Sequence, residues 1–106
     1  MKIGIIISQS DPETVWNAFR FGIFSLIKQH EVKAFFIGKG VECEEINDEN
    51  FNVKEQIEKF LNCGGEIFAC GTFLKTRHKE GSPVCPISTM QDLMSIVEKS
   101  DKIISF

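Results

Sequence analysis

The chain has 106 residues, 42% of them hydrophobic and 25% charged, with a formal net charge of -3. That size and balance fit one compact domain and exclude a disordered tail, and the absence of a basic stripe excludes nucleic acid as the main partner. The apolar runs are strand-sized and no leader-like pattern opens the chain, so no membrane span is expected and the cytoplasm is the expected location.

Lys2 to Ser8 (KIGIIIS) is continuously apolar and β-branched, which predicts a strand buried on both faces and placed mid-sheet. SQSDPET follows, with Asp11 as cap, Pro12 at the first helical position and Glu13 at the positive end of the dipole. The helix it starts is predicted to run to about His30. Val15, Trp16, Phe19, Ile23, Leu26 and Ile27 share one face at helical spacing, the side that lies on the sheet. Phe21 and Phe24 point away from that face. They are expected as exposed aromatics that a subunit contact covers, the alternative being a wide core stripe. His30 falls on the inner face near the helix end, where a half-buried imidazole is ordinary.

Glu31 to Ile37 (EVKAFFI) predicts a second strand, ended by GKG. From Gly38 to Asn52 neither period is sustained in an acidic, turn-rich stretch, which reads as a loop with room for one helical turn. Val53, Ile57, Phe60 and Leu61 restore helical spacing until Gly64 and Gly65 stop the helix. Glu66 to Cys70 is the third strand. A short helix-like piece, GTFLKTRHKEG, and an extended VCPI segment come next. Ser88 to Gln91 reads as a capping box ahead of Met90, Leu93, Met94 and Val97, and Lys102 to Phe106 closes the chain as a strand. Without repeats or a linker, residues 1–106 are expected to form one domain. Strands alternating with helices imply a three-layer α/β/α fold of flavodoxin-like type, its mainly parallel sheet holding four to five strands.

In such sheets ligands bind beyond the carboxyl ends of the strands, and Cys70 ends a predicted strand just before a glycine. A thiol there faces the backbone N–H groups of Gly71, Thr72, Phe73 and Leu74 at a helix start. Lys75, Arg77 and His78 follow within two turns. Each of these effects favours thiolate over thiol, so Cys70 is expected to alkylate ahead of the other cysteines. The position suits a nucleophile or an anion, and equally a small apolar residue packed at a strand end.

The run ACGTFLKTR, preceded by GGEIF and followed by ISTMQDLMSIVEKSDKIISF, resembles the DsrE/DsrF-like sulfur-relay family, whose small members carry a Cys-Gly-Thr-Cys-Leu-x-x-Arg-like turn and end in a Met-x-x-Leu helix and a short strand. The resemblance covers the second half closely and the first half through its strand-helix order. It implies a protein that holds sulfane sulfur as a persulfide on Cys70 and passes it between donor and acceptor proteins, with no metal or organic cofactor, and that assembles as a trimer or hexamer. The backbone from Gly71 to Leu74, with Lys75 and Arg77, would steady the negative charge. The family's second cysteine is Phe73 here, so release of sulfur by disulfide formation within the turn is closed to this chain.

The remaining candidates are weaker. Cys85, after a glycine-containing stretch, is a possible resolving thiol, although its flanking prolines suit a plain extended segment. Cys63 at a helix end reads as packing. Like charge from Glu42, Glu44 and Glu45 suppresses a thiolate at Cys43. A zinc site from Cys70, His78 and Cys85 lacks any close ligand pair, so no metal is expected. His78 reads as a solvent-facing base. Acid pairs, serine triads and phosphate-binding glycine signatures are missing, and SQSDPE is too poor in glycine to cradle phosphate. Two functions remain open: a sulfur carrier or transferase acting through Cys70, and a non-catalytic binding or assembly subunit whose turn holds a small anion or only packs. For either, a homo-oligomer is expected through Phe21 and Phe24, with the Cys70 turn near a subunit boundary. A chain this short buries only about two-thirds of its unfolded surface and gains from association.

Overall fold

Strands that are apolar along their whole length need cover on both faces. The computed structural model, which describes residues 1–70 and 87–106, supplies it. Five strands, β1 (Lys2–Ile7), β2 (Glu31–Phe36), β3 (Glu66–Cys70), β4 (Ile87–Ser88) and β5 (Lys102–Ser105), form one sheet in the order β4-β3-β2-β1-β5. Every pairing is parallel. The centre of the sheet is therefore β2, and β1 lies between β2 and β5.

Side-chain alternation divides the core into two layers. On one face Ile3, Ile5 and Ile7 of β1, Val32, Ala34 and Phe36 of β2, and Ile67 and Ala69 of β3 pack with Phe19 of α1 (Pro12–Ile27) and Phe60 of α2 (Val53–Asn62). On the other face Phe35 and Cys70 lie against Ile96 of α3 (Met90–Lys99). The fold is thus the three-layer α/β/α arrangement, with a parallel sheet of five strands among the described residues.

The helix ends follow local chemistry. Asp11 accepts the Thr14 N–H at 3.0 Å with Pro12 behind it, as expected from the sequence. The carboxyl end of α1 departs from expectation: the helix stops at Ile27, and Gln29 takes φ 69, which turns the chain so that His30 lies beyond the helix, half-buried. Ile27, expected on the inner face, is 66% exposed. Ala18, Gly22 and Ser25 are buried instead, because the residues closest to the sheet are small. Gly64, with φ +101, ends α2 in a conformation that costs glycine nothing.

At α3 the capping box is displaced by one residue from the expected Ser88. Thr89 Oγ1 accepts the Asp92 N–H at 3.3 Å while Asp92 accepts the Thr89 N–H at 2.7 Å. Ser88 is spent in β4, where it pairs with Cys70. Replacing Thr89 with alanine should therefore cost about 1 kcal/mol, read as a fall in the urea midpoint at unchanged slope, whereas Ser88→Ala should leave the cap intact.

The stretch expected as a loop after β2 contains a 3-10 helix, Gly38–Glu45. Strand ends differ from expectation by one residue: β1 stops at Ile7, β2 at Phe36 and β5 at Ser105. Of the expected extended VCPI segment, only Ile87 lies among the described residues, and it opens β4, a strand the sequence reading did not count.

Candidate functional site

The carboxyl edge of the sheet is where the connections diverge, and Cys70 is the last residue of β3 on that edge. Its Cα is paired with Ser88 of β4, and the preceding pair, Ala69 with Phe36, sets Cys70 level with Ile37 just past the end of β2. Because Ala69 faces the α1 and α2 layer, Cys70 faces α3. Phe35 and Ile96 enclose it, with Ile37, Phe68 and Leu93 packed around them, and it is 1% exposed.

Apart from Ser88, buried beside it in β4, the described surroundings of the thiol are apolar, so access to it requires this cover to move or open. Of the helical stripe read from the sequence, only Leu93 packs here: Met90, Met94 and Val97 are exposed, and Ile96, which that stripe left out, is the buried residue; Phe35 and Phe68 were readable as strand residues. That they meet over Cys70 depends on the crossover from β4 to β5, which periodicity does not contain.

The rest of that edge is built from backbone. Ser8 donates to the Phe106 carbonyl from its N–H at 3.0 Å and from its hydroxyl at 3.3 Å, closing the gap between β1 and β5. The following helix start is occupied by the Asp11 carboxylate, which opposes an anion there. Cys43, expected in an acidic loop, is fully buried in the 3-10 helix and donates to the Gln9 carbonyl at 3.5 Å. Its inaccessibility comes from burial in addition to any effect of charge. Cys63 is exposed at the end of α2.

Gly71, Thr72, Phe73, Leu74, Lys75, Arg77, His78 and Cys85, all named from the sequence around the thiol, lie outside the described residues. Among the described residues no group of three or more His, Cys, Asp or Glu side chains is placed to hold a metal ion. Nor is any described helix long and apolar enough to cross a membrane.

Phe21 and Phe24 are 38% and 60% exposed, as their angular positions on α1 required. They sit on the α1 and α2 side of the sheet, in the half of α1 that runs toward the amino ends of the strands. Cys70 lies on the other face at the opposite edge. Within one copy the aromatic stripe and the thiol are therefore far apart, so a boundary near Cys70 would have to involve a different surface from the one that covers Phe21 and Phe24.

Comparison with known proteins agrees with this arrangement. An uncharacterized protein of Methanopyrus kandleri is 32% identical over 112 residues, covering 98% of this chain and 93% of its own length. Among solved structures, the YchN protein of E. coli superposes with a TM-score of 0.85 at 19% identity, covering all of both chains. A conserved protein of unknown function from Bacteroides thetaiotaomicron gives 0.79, also at 19% identity, covering 99% of this chain and 94% of its own. These two likenesses concern the fold. The model of the DsrE/DsrF-like family matches residues 1–106, and the chain belongs to that family.

Proposed function

We propose that this protein is a cytoplasmic sulfur-relay protein that carries sulfane sulfur as a persulfide on Cys70 and passes it to a partner protein. The observation that carries the reading is the position of Cys70, at the carboxyl end of a strand in a parallel sheet of a DsrE/DsrF-like chain. In loading, the Cys70 thiolate attacks a sulfane sulfur of the donor. A new S–S bond forms, the donor leaves shorter by one sulfur, and the thiol proton goes to water. In delivery, an acceptor thiolate attacks the outer sulfur and Cys70 is released as thiolate, so no external oxidant or cofactor enters the balance. With Phe73 in the turn, the relay uses one thiol, and Gly71 to Leu74, Lys75 and Arg77 steady the charge. Cys85 is the remaining candidate for a resolving thiol.

Burial supports a second reading. A thiol 1% exposed among Phe35, Ile96 and Leu93 also fits a packing residue in a non-catalytic binding or assembly subunit. The two are separated by incubating the protein with inorganic polysulfide and mapping added sulfur by mass spectrometry. The relay reading expects one extra sulfur on the Cys70 peptide, removed by a reductant and absent in Cys70→Ser. A Cys70 peptide that stays unmodified after an incubation long enough for a buried thiol to react through opening would favour the packing role.

The same reading includes a homo-oligomer, trimer or hexamer, formed through Phe21 and Phe24. Its support is the exposure of both rings and the small size of the domain.

A further inference from the structure

The aromatic stripe of α1 is the floor of a groove against α2. Phe21, Ile23, Phe24 and Ile27 line about 580 Å³, with Arg20 and Lys59 at the rim. Lys28 adds a third cation, its Nζ 5.6 Å from the centre of the Phe24 ring. Arg20 lies 4.4 Å over the Trp16 ring, and Lys59 meets Glu55 at 3.1 Å, so three cations surround the floor against one described carboxylate.

The chain's own acid is concentrated elsewhere. Five of its 15 acidic residues fall between Glu42 and Glu49, a span without Lys or Arg. That segment begins in the 3-10 helix after β2, at the carboxyl edge of the sheet, while the groove lies toward the amino edge. A two-fold contact of α1 with α1 would gather Arg20 and Lys28 from both copies around one interface, where like charges oppose association.

Resting on the assembly reading above, we propose that the groove of one copy seats the acidic Glu42–Glu49 segment of the next. The contact is head-to-tail: each copy uses two different surfaces, and repetition closes a ring. Apolar floor and cationic rim act together, the rings excluding water while Arg20, Lys28 and Lys59 select an acidic occupant.

The test uses light scattering coupled to size exclusion, with circular dichroism to verify that each variant is folded. One variant blocks the groove with Phe24→Glu, at an exposed position. The other removes most of the segment's charge with Glu45→Lys and Glu49→Lys, both exposed. Wild type is expected as an oligomer whose dissociation constant rises about tenfold or more as salt goes from about 0.05 to 0.5 M. Each variant alone is expected as a monomer. Mixed in equal amounts they should give a one-to-one dimer, because each retains the surface that the other lacks. A mixture of monomers that fails to pair, or a segment variant that keeps the wild-type mass, overturns the head-to-tail contact while leaving assembly through Phe24 standing. A monomeric wild type overturns the assembly reading itself.

Discussion

Replacing Phe60 with alanine is expected to cost about 3–5 kcal/mol, in the range of the largest losses from a single side chain in this core. The ring is fully buried and meets Phe19 edge-to-face at 5.3 Å. Two glycines make room for it: a Cβ at Gly22 would lie 2.8 Å from the ring, and one at Gly65 would collide with it. Gly65 has no left-handed backbone to explain it, so the reason for glycine there is Phe60. Gly65→Ala should therefore destabilise by itself, yet add little to Phe60→Ala, since the new methyl enters the space that the ring vacates. In a domain of this length a loss of 3 kcal/mol lowers Tm by about 12 °C or more, and a urea double-mutant cycle reads the coupling directly. Strict additivity of the two changes would show that ring and glycine do not share one space.

The same cluster shows why parts of the fold were legible in the sequence. β3 was readable to the residue because five apolar-biased positions stand between a glycine pair and a glycine. The start of α1 was readable because Asp11 and Pro12 act within one turn, whatever the rest of the chain does. The inner face of α1 was read less well. Weighting by large apolar residues put Ile27 inside, whereas contact with a sheet is closest at Ala18, Gly22 and Ser25, whose size is the condition for that closeness. The cap of α3 slipped by one residue because both Ser88 and Thr89 suit the role, and β4 claims the serine. Strand order could not be read at all. It depends on which way each crossover travels, and with it went the separation of Phe21 and Phe24 from Cys70 and the covering of Cys70 by Ile96.

That cover leads to an expected order of thiol labelling which reverses the one predicted from charge alone. In the folded protein a maleimide should modify exposed Cys63 at once, while Cys70 and Cys43, 1% and 0% exposed, react only as the structure opens. If opening costs about 3–5 kcal/mol, the rate at Cys70 falls by roughly 10²–10⁴ relative to the unfolded chain. Thinning the lid tests the mechanism. Ile96→Ala removes the buried side chain that lies with Phe35 against Cys70, so labelling of Cys70 should accelerate while Cys63 keeps its rate. Acceleration at both sites would mean general destabilisation, which hydrogen exchange of the β1 and β2 amides would reveal as a matching loss of protection. For a relay this cover has a chemical use. If Cys70 carries a persulfide as proposed, Leu93 and Ile96 of α3 would shield it from stray thiols until a partner displaces them. Rapid native labelling of Cys70 ahead of Cys63 would instead mean that the lid is open for much of the time and that ionisation, rather than access, sets the thiol's reactivity.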